Sequence, residues 1–156
     1  MPLRNFSFIT SQLAGMAYPT ASSFQELESL GISTIINLTP VPLDVVGNFR
    51  FRVYHFPIVD GSAPSVTGLQ DIVTTIESEL TQSDSKVVVH CAAGLGRTGV
   101  VLTAFVLRNW HLRGKAVDVE EALKTIRSYR PGSVETPEQE ELLHKYASWL
   151  QGFGKG

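Results

Sequence analysis

The stretch from Lys86 to Gly99, KVVVHCAAGLGRTG, limits the possible folds more than any other part of the chain. It opens on Val87, Val88 and Val89, β-branched residues that favour a short buried strand. His90, the only cysteine (Cys91) and a run of small residues holding Gly94 and Gly96 come next. After Arg97 and Thr98 a long apolar helical pattern begins. The order is strand, glycine-bearing turn, helix N-terminus. Such a turn aims backbone N–H groups into one concave space, and the helix dipole adds partial positive charge there. A space of that size and sign suits an oxyanion such as phosphate.

The residue types inside the turn point to the chemistry. The N–H groups of Ala92, Ala93, Gly94, Leu95, Gly96 and Arg97 form the expected phosphate-binding nest. The two glycines let the backbone come close to the anion. A thiol on the floor of a cationic nest ionises readily, and Cys91 is the expected nucleophile. Arg97 brings a planar guanidinium that can grip two phosphate oxygens at once. Thr98 is placed to donate its hydroxyl to the sulfur, which favours thiolate and helps it leave.

A thiolate that attacks phosphorus needs a separate acid to protonate the leaving oxygen. Asp60 is the expected acid, on the loop Pro57 to Pro64 (PIVDGSAP), although an Asp-Gly pair is also an ordinary turn. Asp44 is its nearest rival and sits among prolines. Asp71 and Asp84 read as helix and turn residues. His55, His111 and His144 read as strand or helix-surface residues.

The segment His90-Cys91-Ala92-Ala93-Gly94-Leu95-Gly96-Arg97-Thr98 resembles the signature of the cysteine-based protein tyrosine phosphatase superfamily, His-Cys-five residues-Arg-Ser/Thr. Arg127 to Gln139, RSYRPGSVETPEQ, resembles the Pro-Gly-Ser-x-Glu-Thr-x-x-Gln stretch of small atypical dual-specificity phosphatases, the dual specificity phosphatase 23-like group and its archaeal relatives. The likeness runs from about Arg52 to Gln139. It implies phosphate monoester hydrolysis through a phosphocysteine, with Asp60 as acid and then base. It implies that His90 holds the loop and favours the thiolate, and that Gln139 or Glu135 positions the hydrolytic water. Helix capping by Thr136 and Gln139 is a sufficient reading of the same residues. No cofactor and no metal are implied. The expected partners are a phosphorylated protein or peptide and phosphate- or vanadate-type oxyanions.

Two departures bear on specificity. Ala92, Ala93 and Leu95 are uncharged where phosphoinositide phosphatases of the superfamily usually carry lysines. Val59 precedes Asp60 where the classical tyrosine phosphatases have Trp-Pro, and the chain is short for their phosphotyrosine-recognition loop. Rival readings are a phosphoprotein-binding pseudophosphatase, or an RNA 5′-triphosphatase or phosphoinositide phosphatase on the same motif. Leu95 forms an apolar lip that suits an aromatic phosphate.

The remaining pattern frames this motif. Phe6 to Ile9 and Leu13 to Ala17 read as short strands, as do Ile32 to Leu38 and Phe51 to Phe56. Ser23 to Glu26 reads as a capping box opening a helix that Gly31 stops. Ser65 to Gln82 is helical, with Leu69, Ile72, Val73, Ile76 and Leu80 on one face. Arg97 to about Arg113 is apolar on most sides and is expected to be buried. Asp118 caps the next helix, and Thr136-Pro137-Glu138-Gln139 is a capping box for the last. A frayed tail is expected over 152–156. Strands and helices of these lengths make one α/β or α+β domain over 1–156. The resemblance narrows this to a twisted sheet of four or five largely parallel strands, with helices on both faces.

At 156 residues with 43% hydrophobic and 18% charged, the chain can bury a full core. Thirteen Lys and Arg stand against fifteen Asp and Glu, a net charge of −2, which gives no reason to expect nucleic acid or a membrane as partner. A single cysteine suits a reducing compartment, and the N-terminus lacks a signal-peptide core. A cytoplasmic location is the expectation, with nuclear entry left open.

Overall fold

A computed structural model describes residues 3–82 and 84–153. Its strands are β1 (Ser7–Phe8), β2 (Leu13–Met16), β3 (Thr34–Asn37), β4 (Arg52–His55) and β5 (Val87–His90). Its helices are α1 (Ser23–Ser29), α2 (Val66–Leu80), α3 (Gly96–Leu112), α4 (Val119–Tyr129) and α5 (Pro137–Phe153). They form one five-stranded sheet in the order β1-β2-β5-β3-β4. β2, β5, β3 and β4 are mutually parallel, and only β1 runs antiparallel, at the edge.

β5 lies in the middle, with Val88 opposite Ala14 on one side and Ile35 on the other. Strand alternation sorts its valines: Val87 and Val89 face the larger core beneath α2, α3, α4 and α5, and Val88 faces the smaller core beneath α1. Helices thus cover both faces of the sheet. α3 is buried along most of its length, including Val100, Val101, Leu102, Ala104 and Leu107. Gly15 on β2 permits that approach. A Cβ there would stand 2.9 Å from both Leu102 Cδ1 and Thr98 Cγ2.

Two details of the expected boundaries change. α1 is preceded by Ser22, which makes no side-chain cap. Ser23 Oγ instead accepts the N–H of Thr20 at 2.9 Å, so the expected capping box from Ser23 is not formed. The hydroxyl found a partner in the entering turn first. α5 is helical through Gly152 and Phe153, two residues into the tail expected to fray, and 154–156 lie outside the described residues. The other caps form. Ser65 Oγ accepts from Gly68 N–H, Asp118 accepts from Glu121 N–H, and Gly31 takes φ 85° after α1.

In a sheet of parallel strands, the carboxyl ends all open on one side, where ligands bind. Here those ends deliver Tyr18 after β2, Thr39 after β3, the Asp60 loop after β4 and Cys91 after β5 to that side.

Candidate active site

Cys91 follows β5 directly and is 2% exposed. Thr98, one turn into α3, donates its Oγ1 hydrogen to Cys91 Sγ at 3.1 Å. The loop between them, residues 92–95, is held by its carbonyls. His90 Nδ1 donates to the Cys91 carbonyl at 3.4 Å, and Tyr18 N–H to that of Ala92 at 2.9 Å. Asn5 Nδ2 donates to Ala93 O at 2.8 Å, and Arg130 Nη2 donates to Gly94 O. The Leu95 carbonyl receives the N–H groups of Gly99 and Val134, at 2.9 and 3.1 Å.

With the carbonyls engaged from outside, peptide geometry turns the N–H groups inward. Among the described residues, those of Ala92 to Leu95 donate to no backbone acceptor. Leu95 occupies the N-cap position of α3 and offers no side-chain oxygen, so the helix start is uncapped on this side. Gly94 takes φ 83°, and a Cβ there would lie 2.4 Å from the Met16 carbonyl carbon. A glycine is required on both counts.

Arg97 is buried at 4% exposure. Its Nη1 donates to Ile58 O at 2.7 Å, and its Nη2 lies 3.5 Å from Asp60 Oδ1. Its Nε has no partner among the described residues. The guanidinium therefore bridges the phosphate loop and the Asp60 loop. The Asp60 side chain is 78% exposed and reaches the site from the solvent side. The sequence places Asp60 on a plain loop, and the fold brings that loop over the helix α3 terminus. Asp44, its rival, makes no ion pair among the described residues.

The Glu135–Gln139 segment closes the other side. Gln139 is fully buried, and its Oε1 accepts the N–H groups of Glu135 (2.8 Å) and Thr136 (3.2 Å). Its Nε2 donates to Ser62 O of the Asp60 loop at 3.4 Å. Thr136 Oγ1 accepts the Gln139 N–H, which completes the capping box. Both Gln139 and Glu135 stand against Gly96, where a Cβ would meet Glu135 Oε1 at 2.5 Å and Gln139 Nε2 at 3.0 Å. Val134 takes φ 66°, a left-handed conformation costly for a β-branched residue. It is held there by its bond to Leu95 O and by Arg127 Nη2, which donates to Val134 O at 3.2 Å.

His90 is fully buried, and its ring meets Tyr18 edge-on at 4.9 Å. Burial, with Arg97 adding to it and the bond to the Cys91 carbonyl opposing it, pushes its pKa down to about 4. The ring is neutral at pH 7. Its contact with the loop is the bond to the Cys91 carbonyl.

Arg130, Asn5 and Tyr18 were not legible as site residues in the sequence. Arg130 reads there as the end of α4. Its presence next to Pro131-Gly132 in the RPGS run was the available signal. Beside them lies a groove of about 230 Å³ lined by Phe6, Leu95, Tyr129, Arg130 and Pro131.

Comparison with known proteins bears on the family and the fold. A family model described as a polymorphic toxin system DSP-PTPase phosphatase matches residues 10–111. Mouse dual specificity protein phosphatase CDC14A is 35% identical over 103 residues, which is 65% of this chain and 16% of that relative's length. The chain thus spans about a sixth of that relative. The crystal structure of Tk-PTP in its active form superposes with a TM-score of 0.81 at 33% identity, covering 92% of this chain and 97% of the other. A mouse chain crystallised with zinc tungstate shares the fold, with a TM-score of 0.83 at 21% identity over 99% of this chain and 92% of that one. The chain belongs to the cysteine-based protein tyrosine phosphatase superfamily, as a small atypical member of its dual-specificity branch.

Proposed function

We propose that this chain hydrolyses phosphate monoesters of proteins or peptides through a phosphocysteine. The observation that carries the reading is the Cys91 sulfur on the floor of a loop whose carbonyls are all engaged from behind. In the first step Cys91 thiolate attacks phosphorus in line. The bond from phosphorus to the leaving oxygen breaks, and Asp60 gives that oxygen its proton. In the second step water attacks phosphorus and Asp60 carboxylate takes the proton. The phosphorus–sulfur bond breaks, and Thr98 donates to the departing thiolate.

The inward N–H groups and Arg97 stabilise the equatorial oxygens in both transition states. Arg97 suits the task because its Nε is unpartnered while its other nitrogens tie it to the acid loop. Gln139 or Glu135 orients the water, since both stand against Gly96 at the edge of the nest. Tungstate bound to the mouse neighbour supports a tetrahedral oxyanion as ligand. The uncharged rim of Ala92, Ala93 and Leu95 favours an aryl phosphate over a polyanionic inositol phosphate. Localisation in the cytoplasm is the companion proposal.

Hydrolysis of p-nitrophenyl phosphate by wild type, Cys91→Ser and Asp60→Asn, with EDTA present, tests the reading. Activity should survive EDTA and vanish in Cys91→Ser. In Asp60→Asn it should fall by about 10²-fold or more, with the alkaline limb of the pH profile lost. A wild-type protein that binds tungstate but never turns over would make the site a phosphate-binding module.

A further inference from the structure

Arg130 is a buried cation without a buried anion. It is 3% exposed, and among the described residues no carboxylate pairs with it. Its Nη1 donates to Asn5 O (2.6 Å), Ser7 Oγ (2.9 Å) and Gly15 O (2.9 Å), and its Nη2 donates to Gly94 O. One side chain thus ties the edge strand, β2 and the phosphate loop together. Asn5 adds a second tie from the same segment, through its amide on Ala93 O.

A charged side chain held only by carbonyls and a hydroxyl is costly to bury. Removing Arg130 from the fold by design would be easy if it served packing alone, because Leu or Met fill such a space. Its placement has a specific consequence. Gly94 sits at φ 83°, and its carbonyl must point away from the nest for the neighbouring N–H groups to point in. Burial lowers the Arg130 pKa, and the negative form of Cys91 opposes that shift.

We propose that Arg130 is a positioning residue of the phosphate loop, acting from behind it. It locks the Gly94 carbonyl outward and supplies an unneutralised positive charge behind the Cys91 sulfur. It touches neither substrate nor the reacting atoms. The charged and titratable groups facing Cys91 are then neutral His90 from β5, Arg97 from α3 and Arg130 from the turn after α4. Asp60 bears on Arg97, and Glu135 stands at Gly96. Of the two arginines, Arg97 is partly offset by Asp60, so Arg130 is the one whose charge the thiolate can use undiminished.

This role rests on the phosphatase reading, so its test avoids turnover. The readouts are the pH dependence of Cys91 alkylation by iodoacetamide and the affinity for inorganic tungstate, in wild type, Arg130→Met and Arg130→Lys. In Arg130→Met the alkylation midpoint should rise by about one pH unit, and tungstate should bind about tenfold more weakly. Arg130→Lys should restore most of the midpoint but not the affinity, because an ammonium group cannot span the four acceptors. Folding is checked by thermal melting. If Arg130→Met does not fold, Arg130→Lys decides alone: wild-type tungstate affinity in that variant overturns the proposal. Folded Arg130→Met with unchanged midpoint and affinity also overturns it, leaving the hydrolytic reading intact. Wild type that neither alkylates selectively at Cys91 nor binds tungstate overturns both.

Discussion

Thr136 Oγ1 donates to the carbonyl of Gly61 at 3.0 Å while accepting the N–H of Gln139 at 3.2 Å. One hydroxyl therefore caps α5 and pins the loop that carries Asp60. Thr136→Val keeps the shape of the side chain and loses both bonds. The cap alone is worth about 1 kcal/mol, which should appear as a lower melting temperature. If the loop depends on it as well, kcat should fall about tenfold while the rate of Cys91 alkylation stays at the wild-type value. Thr136→Ser should recover both. A variant with a lower melting temperature and wild-type kcat would confine Thr136 to capping.

Gly94 and Gly96 look alike in the sequence, but they resist a methyl group for different reasons. At Gly94 the obstacle is backbone: Met16 C at 2.4 Å and Ala17 N at 2.6 Å, with φ also left-handed. Gly94→Ala must move the loop, and tungstate binding should fall below detection in a protein that still folds. At Gly96 the nearest atom is Glu135 Oε1, the free end of an exposed side chain. Gly96→Ala should cost about tenfold in affinity, and adding Glu135→Ala should return part of it. The part not returned belongs to Gln139, whose amide is fixed by the N–H groups of Glu135 and Thr136. Equal losses in the two alanine variants would contradict this assignment.

The sequence carried the central strand, the nest and the buried helix, because their signals are local. Val87 to Val89, the glycines and the apolar run of α3 are each encoded within a few residues. The thiol, Thr98 and Arg97 came with them, since the strand–turn–helix fixes their spacing. What stayed hidden is what only the fold brings together. Asn5 and Arg130 meet over a sequence separation no periodicity reports, and Ser22 takes the N-cap position of α1 while the Ser23 hydroxyl accepts the N–H of Thr20. The neutrality of His90 was equally invisible, because burial sets it and the motif does not.

Leu95 is the largest side chain of the apolar rim that it forms with Ala92 and Ala93. It is half-buried and shares a groove with Phe6, Tyr129 and Pro131. Leu95→Lys places a cation beside the nest and removes apolar contact for a ring. The ratio of kcat/KM for an inositol phosphate to that for p-nitrophenyl phosphate should rise about five- to tenfold, more at low ionic strength. A ratio unchanged at low salt would remove Leu95 from substrate selection.

His90 should also make stability depend on pH in a window set by its own shift. Its pKa is about 4 in the folded chain, against about 6.5 when unfolded. A lowered histidine value means that the unfolded chain binds the proton more readily. The contribution is therefore fully present above about pH 6.5, and it is lost progressively as pH falls to about 4. The full span corresponds to on the order of 3 kcal/mol. Urea unfolding of wild type between pH 7 and 4 should show that decline. His90→Asn retains a donor able to reach the Cys91 carbonyl and cannot titrate, so its stability should be flatter than that of wild type between about pH 6.5 and 4. The difference between the two curves should change across that window and stay constant above it. Parallel curves would mean that His90 does not govern the decline. Glu79 is buried with Thr34, Tyr54 and Arg52 around it, and its lowered pKa makes its own contribution fall only in more acid solution.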